Sequence, residues 1–444
     1  MSEPGLPIPI NPKSKRLYIP TKHKFILANL TAIMWFTLSC FISYPWVLSL
    51  AQLVGSWAGW FIVLFIALIP GYLNMFLLVS LLIDRPPPLQ TARDLPPVSI
   101  LIAAYNEEKS ILETLRSLRQ QNYPGIINII VIDDGSLDRT KELVLNCGMP
   151  NVKLIEANHQ GKSAALNKGL QYVADDYVIT IDADTFLHPQ AITRIMARML
   201  GDPGHTAAVA GCVLAKNSRD TFMTRLQEWD YFLAISSVKR QQALYQGTLV
   251  AQGAFSVYKT AVVKEVSGWP SCIGEDIVLT WALIKKGYRI GYEATAVGFT
   301  EVPTTFMAFA RQRRRWARGM IEGFKAHIDL IYKRFSPTAI LVGIDLLYPL
   351  LDLTYTFVYI PGIILALFGY YWIVGPMTLA VIPLTLYINY TMYKYQRSVF
   401  QELNLKIRQN KLGFVVYTVC YQILMSPVCV WGYFEEFFGI AKRW

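Results

Sequence analysis

The sequence predicts an α/β domain with a doubly wound sheet, set between apolar helices that cross a bilayer. Three observations carry this. Phe25–Leu50 and Trp57–Ile83 hold no charged residue, and each exceeds the roughly 20 residues a helix needs to cross the hydrocarbon. From Val98 onward, short aliphatic runs alternate with helical segments, the pattern of a sheet built from crossover units. Beyond Ser336 the chain turns apolar again, and 53% hydrophobic content with a mean hydropathy of +0.32 excludes an ordinary soluble domain.

Residues 1–24 form a basic segment in which Lys13, Lys15, Arg16, Lys22 and Lys24 precede the first span, whereas the Ala51–Ser56 link carries no charge. The asymmetry places the N-terminus in the cytoplasm. The segment does not read as a cleaved leader, because its apolar stretch is long and a second span follows at once. Residues 25–83 are thus two transmembrane helices, 84–97 a proline-rich linker, and everything to about Ser336 cytosolic. About three spans are expected in 337–444: Ala339–Tyr370, Pro376–Met392 and Leu412–Phe434. The first holds Asp345 and Asp352, which either line a polar path or are sheltered near Pro349 or Pro361. An odd number of crossings would leave Lys442-Arg443-Trp444 outside, although a short basic tail prefers the inside. Six scattered cysteines form no C-x-x-C pair, so neither zinc nor disulfides are indicated. The net charge of +11 borders the spans, which points to anionic lipid and not to nucleic acid.

In the cytosolic part, "VSILIAAY" reads as a strand, after which Asn106 caps a helix with Glu107 and Glu108 in its first turn. "IINIIVIDD" is a second strand, followed by a helix capped by Ser136. Then come "VKLIEA", a helix over about Lys162–Val173, and "YVITIDAD". Ser218–Tyr245 is a long amphipathic cover, and "GEDIVLTWALIKKGYRIGYEATA" a loop, helix and returning strand. Asp133, Asp134, Asp182 and Asp184 fall at carboxyl ends of strands, where such sheets bind ligands.

Several chemistries compete for these residues. Gly161-Lys162-Ser163 suggests a phosphate loop, but Glu156 stands where that loop needs glycine. Asp182-Ala183-Asp184 suits a divalent ion shared with a nucleotide diphosphate, or is a solvated turn. Glu275 and Asp276 either complement a helix dipole or supply a general base. In "FARQRRRWARGM", Arg313, Arg314, Arg315 and Arg318 either bind lipid headgroups or neutralise a leaving diphosphate. Trp316 is an interfacial anchor or a platform for a sugar, and Gln312 shares its helix face.

Taken in order, "AAYNEE", "IDDGSLDRT", "NHQGKSAALNKGL", "IDADT", "GED" and "QRRRW" resemble the processive family 2 glycosyltransferases. That group includes cellulose, chitin, hyaluronan and poly-N-acetylglucosamine synthases. The resemblance spans Val98–Met320 and implies a GT-A fold at 98–302, with interfacial helices at 303–336. It implies an inverting transfer from a UDP-sugar to a growing polysaccharide, with Mg²⁺ or Mn²⁺ as cofactor. Tyr105, Glu107, Asp134, Lys162 and Asp182 would bind the nucleotide, and Asp184 the metal. Asp276 would be the general base with Glu275 beside it, and Gln312, Arg315 and Trp316 would hold the leaving group and acceptor. Gly274 departs from the T-E-D form that the family often shows. The absence of a phenylalanine-rich gating loop or a nucleotide-sensing domain weighs against cellulose. The pattern is most similar to bacterial poly-N-acetylglucosamine synthases, with hyaluronan- and chitin-type synthases close behind and a non-processive transfer to a lipid-linked acceptor as runner-up. The expected setting is the inner membrane, with export through the spans and possible accessory envelope subunits.

Overall fold

A computed structural model describes residues 19–89, 95–332, 336–375, 382–407 and 409–441. Lys13, Lys15, Arg16, part of the proline-rich linker, the start of the proposed Pro376–Met392 span and the Lys442-Arg443-Trp444 tail lie outside them.

Eight strands form one sheet: β1 (Val98–Ala104), β2 (Ile127–Asp133), β3 (Val152–Glu156), β4 (Tyr177–Ile181), β5 (Thr185–Leu187), β6 (Thr206–Ala215), β7 (Phe255–Lys259) and β8 (Arg289–Thr300). Their order is β3-β2-β1-β4-β7-β6-β8-β5. The half from β3 to β4 is parallel, as the alternation predicts. The other half is mixed: β7 runs antiparallel to both β4 and β6, and β5 to β8. The departure has a local cause. The chain reaches β7 through residues 245–254, whose end sits beside the D-x-D turn, where the Asp182 N–H points to the Ala254 carbonyl (3.4 Å). β7 therefore enters at the edge where β4 leaves, bringing Gly253 to the carboxyl end of β4.

β1, β2 and β4 are buried through most of their length, and Ile100, Ile102, Val131, Ile179 and Val257 make a core with the helix Ala191–Gly201. Leu101, Ile132, Leu166, Trp269 and Leu279 fill the opposite face. Burial on both faces is what continuous aliphatic strands require.

Two helix starts differ from the sequence expectation. The first cytosolic helix begins at Ile111, not after Asn106. Asn106 has a left-handed φ of 56°. Its side chain accepts from the Leu137 N–H (2.8 Å), and its own N–H donates to Ser136 Oγ (3.0 Å). Asn106 and Ser136 thus bind their two loops together, a local bonding that competes with capping. Asp138 takes the N-terminal position expected of Ser136, accepting from the Thr140 N–H (2.9 Å) at the start of Thr140–Leu145.

Among the described residues, four helical stretches are long and apolar enough to cross a membrane: Thr21–Val54, Ser56–Ile83, Pro337–Leu367 and Lys411–Phe437. The first pair is rooted in the domain: Ser80 Oγ meets the Tyr245 hydroxyl (2.7 Å), Asp84 pairs with Arg240, and Leu77, Leu78 and Leu81 pack beside Ala210 and Cys212. Asp352 is only 3% exposed and accepts from Ser426 Oγ (2.7 Å), Tyr433 OH (2.8 Å) and Gln422 Nε2 (3.0 Å). Side chains of the neighbouring helix Lys411–Phe437 shelter it. Buried carboxylates persist when hydrogen bonded in this way.

Candidate active site

The expected nucleotide residues gather at the carboxyl ends of the parallel strands. Asp134, just past β2 and 3% exposed, accepts from the N–H groups of Gly161 (2.9 Å) and Gln160 (3.1 Å). Gly161 has φ +91°, a value that glycine adopts without strain, and this bend turns the chain into the helix Lys162–Leu170. His159 Nδ1 also approaches Asp134 Oδ2 (3.1 Å), and its ring stacks on Tyr105 at 4.0 Å between centroids. Sequence reasoning passed over His159. It lies inside "NHQGK", but its partners are 25 and 54 positions away in the chain.

Lys162 reaches across this rim. Its amine contacts Asp182 directly and Glu275 at 3.5 Å. Burial alone would lower its pKa, but the carboxylates of Asp182 and Glu275 outweigh that and hold it above the usual lysine range. Glu275 opens the helix Glu275–Lys285, and burial pushes its carboxyl up to about 7 against the pull of Lys162. Asp276 Oδ2 accepts from the Gly253 N–H (3.3 Å). Gly253 leaves room for the lysine, since a Cβ there would lie 2.8 Å from Lys162 Nζ and the amine would have to shift.

Asp184 is joined by Thr300 Oγ1, which donates to it (3.3 Å). Burial, then the charges of Asp182 and Glu107, push its carboxyl up to about 7. Glu107 accepts from Ser110 Oγ (2.6 Å), and burial raises its pKa as well. Such crowding of carboxylates in a cleft marks a place where a cation would be welcome. Among the described residues no three His, Cys, Asp or Glu side chains form a complete metal cage. One or two carboxylates with diphosphate oxygens completing the shell is the manner in which Mg²⁺ is commonly held. The residues present fit a divalent ion that arrives with a nucleotide diphosphate.

The helix Phe306–His327 carries Gln312, Arg315 and Trp316. Its arginines divide by helical position. Arg313 is 3% exposed, pairs with Asp230 (2.8 Å) and stacks over Trp316 at 4.1 Å from the ring centroid. Arg318 is buried against Glu435 and Glu436, and Arg314 pairs with Glu435 (3.3 Å). These partners correct the lipid-headgroup reading for Arg313, Arg314 and Arg318. Arg315 is exposed, and Trp316 is 40% exposed with its ring 6.2 Å from that of Tyr231. Tyr231 is buried at the turn between the helices Phe222–Trp229 and Ser236–Leu244, and its neighbour Asp230 holds Arg313, so this turn packs on the arginine helix.

The arginine helix docks directly on the start of the helix Glu275–Lys285. Glu322 Oε2 accepts from the Gly274 N–H (2.8 Å), and the backbones of Gly319 and Gly274 touch. Neither Gly319 nor Glu322 was singled out from sequence.

Residues 99–267 match the family model described as "Glycosyl transferase family 2". A poly-beta-1,6-N-acetyl-D-glucosamine synthase of Staphylococcus aureus (strain COL) is 34% identical over 231 residues, which cover 51% of this chain and 55% of that protein. The corresponding synthase of Staphylococcus epidermidis is 32% identical over 225 residues, 50% of this chain and 54% of that one. The chain thus matches about half the length of these curated relatives. A mannosyltransferase from Pyrobaculum calidifontis, solved in complex with GDP-Man and Mn²⁺, shares the fold with a TM-score of 0.59 at 18% identity, covering 86% of this chain and 99% of that one.

Proposed function

Because the chain carries a family 2 glycosyltransferase domain of GT-A fold, related to poly-N-acetylglucosamine synthases, we propose that it polymerises a UDP-sugar into a polysaccharide at the membrane. UDP-N-acetylglucosamine is the donor that the relatives' names favour. The observation that carries this reading is the convergence of Lys162, Asp182, Asp184, Glu275 and Asp276 on one rim, with the helix bearing Gln312, Arg315 and Trp316 docked against it.

In this reading Tyr105 and His159 offer a stacked aromatic surface to the base, and Asp134 orients the loop beneath the nucleoside. Asp184, with Asp182, would hold Mg²⁺ or Mn²⁺, which supplies positive charge to the diphosphate. Lys162, which contacts Asp182, and Arg315 add their own positive charge there. Asp276 takes the proton of the acceptor hydroxyl as that oxygen attacks the anomeric carbon and UDP leaves from the opposite face, inverting the configuration. Trp316, covered on one side by Arg313, presents its open side to the acceptor sugar. The apolar helices would carry the product outward, since a hydrated polymer loses its water bonds in lipid.

The test is to give purified chain single UDP-sugars with Mg²⁺ or Mn²⁺, measure UDP release and weigh the product. A ladder of N-acetylglucosamine units from one donor supports the reading. A single sugar on a lipid replaces it with lipid-linked transfer, and no release from any UDP-sugar refutes it.

A further inference from the structure

The helix Lys411–Phe437 has the length and hydropathy of a span, and by composition it would carry the chain out of the cytosol for good. Its contacts disagree. At its start, Asn410 Nδ2 donates to the Arg225 carbonyl (2.9 Å) and to Glu228 (2.8 Å), and the Trp229 indole donates to the Asn410 carbonyl (3.0 Å). Eleven residues on, the Tyr421 hydroxyl donates to Asp230 (2.9 Å), and its ring packs edge-on to Phe309. Further along, Gly432 lies so close to the arginine helix that a Cβ there would sit 2.6 Å from the Arg314 carbonyl oxygen. At its end, Glu436 pairs with Arg318 (3.3 Å) and Lys325 (2.9 Å), and Arg318 also donates to the Ile440 carbonyl (2.8 Å).

The pairings 309 with 421, 314 with 432 and 318 with 436 advance together, so the two helices run side by side in the same direction. The arginine helix is itself fixed to the catalytic domain near both ends, through Arg313 with Asp230 and through Gly319 and Glu322 with Gly274. A helix of 27 residues is about 40 Å long. Had it crossed the bilayer, Glu435 and Glu436 would lie a membrane thickness from the domain that holds Asn410. Instead they are 8% and 7% exposed and satisfied by arginines on the domain's own surface helix.

The return crossing lies elsewhere. The Trp46 indole, near the far end of the first helix, donates to the Trp372 carbonyl (2.8 Å), whereas Glu402 pairs with Arg194 of the catalytic domain (2.5 Å). The helix Ile382–Glu402 ends packed on that domain through Val399, Phe400 and Leu403.

We propose that, among the described residues, the last crossing ends in Ile382–Glu402, and that Lys411–Phe437 lies along the arginine helix at the cytosolic surface as a brace. The described C-terminal residues, to Ala441, then face the same side as the catalytic domain. The crossing number becomes even, and the brace fixes the helix that bears Gln312, Arg315 and Trp316. This placement does not depend on which sugar is used, or on whether sugar is transferred at all.

A membrane-impermeant maleimide tests it in sealed vesicles of the full chain oriented with the catalytic domain inside. Wild type sets the background from native cysteines. Ser56→Cys, in the link between the first two spans, should label from outside. Ala441→Cys should show near-complete loss of labelling until detergent opens the vesicles, and labelling as ready as that of Ser56→Cys overturns the proposal. In parallel, Ala317→Cys with Gly432→Cys should form a disulfide in the membrane under mild oxidation. Should Ala441→Cys react on neither side, that disulfide decides: its formation upholds the side-by-side packing, and its absence in protein that still inserts overturns it.

Discussion

Gly274 and Gly319 meet backbone to backbone: a Cβ on Gly274 would lie 2.6 Å from the Gly319 Cα and 2.7 Å from its carbonyl oxygen. Contact with a backbone, unlike contact with the tip of a long side chain, cannot be relieved by a rotamer change. The glycine that departs from the T-E-D form of the resembled family is thus the residue that lets the arginine helix close on Glu275 and Asp276.

Restoring the family's threonine should therefore harm this chain. Gly274→Thr must displace either the start of Glu275–Lys285 or the arginine helix, and overpacking of this kind costs about 1–3 kcal/mol. A shift near 1 Å at Asp276 would lower turnover on the order of 100-fold. UDP release and the melting midpoint in detergent check both effects. A Gly274→Thr variant as active and stable as wild type contradicts the docking.

Two arginines two positions apart should behave oppositely. Arg313→Ala strands Asp230 as a buried, unpaired charge, and breaking such a pair costs about 3–5 kcal/mol. Arg315→Ala removes an exposed guanidinium, so the fold should hold while transfer falls at least about 10-fold through lost charge on the leaving diphosphate. Thermal melting and initial rates separate the two, and a stable Arg313→Ala variant would undo the division of the cluster.

Asp184 makes the stability of the folded chain depend on pH. Its carboxyl is raised to about 7 in the folded chain, above the value of about 3.9 for an unfolded aspartate. Between those values the folded state holds more protons, so its contribution to stability falls as pH rises from about 4 to about 7 and is flat above. Asp184→Asn removes that slope and should melt higher than wild type at pH 8 without metal, while losing Mn²⁺-dependent UDP binding. Equal melting at pH 8 with intact binding would return the D-x-D motif to a solvated turn.

The strand ends and their acids were legible because a strand fixes where its last residues point: Asp134 and Asp182 directly follow β2 and β4, whereas Asp184, expected at the end of the same strand, lies in the turn just before β5. Lys162 and Glu275 were legible as motif members, but their contact, bridging 113 positions, was not. His159 and Glu322 acquire their roles from Tyr105, Asp134 and Gly274, which no local pattern connects to them. The arginine cluster misled for a related reason. Five arginines near an apolar stretch suggest headgroups, whereas Asp230 and Glu435, the acids that bury Arg313 and Arg318, lie 83 and 117 positions away. Mixed strand direction in the second half of the sheet was hidden because aliphatic runs look alike whichever way they enter.

In the proposed function one chain both polymerises a UDP-sugar and passes the product across the membrane. Reconstitution in sealed vesicles with the active site outward, supplied with UDP-N-acetylglucosamine and Mg²⁺, shows where the polymer lies. Long product should resist added glycosidase until detergent is present, with Asp276→Asn binding UDP yet losing about 100-fold or more in synthesis. Polymer that is fully digested without detergent, from an enzyme of normal activity, would contradict the proposed function.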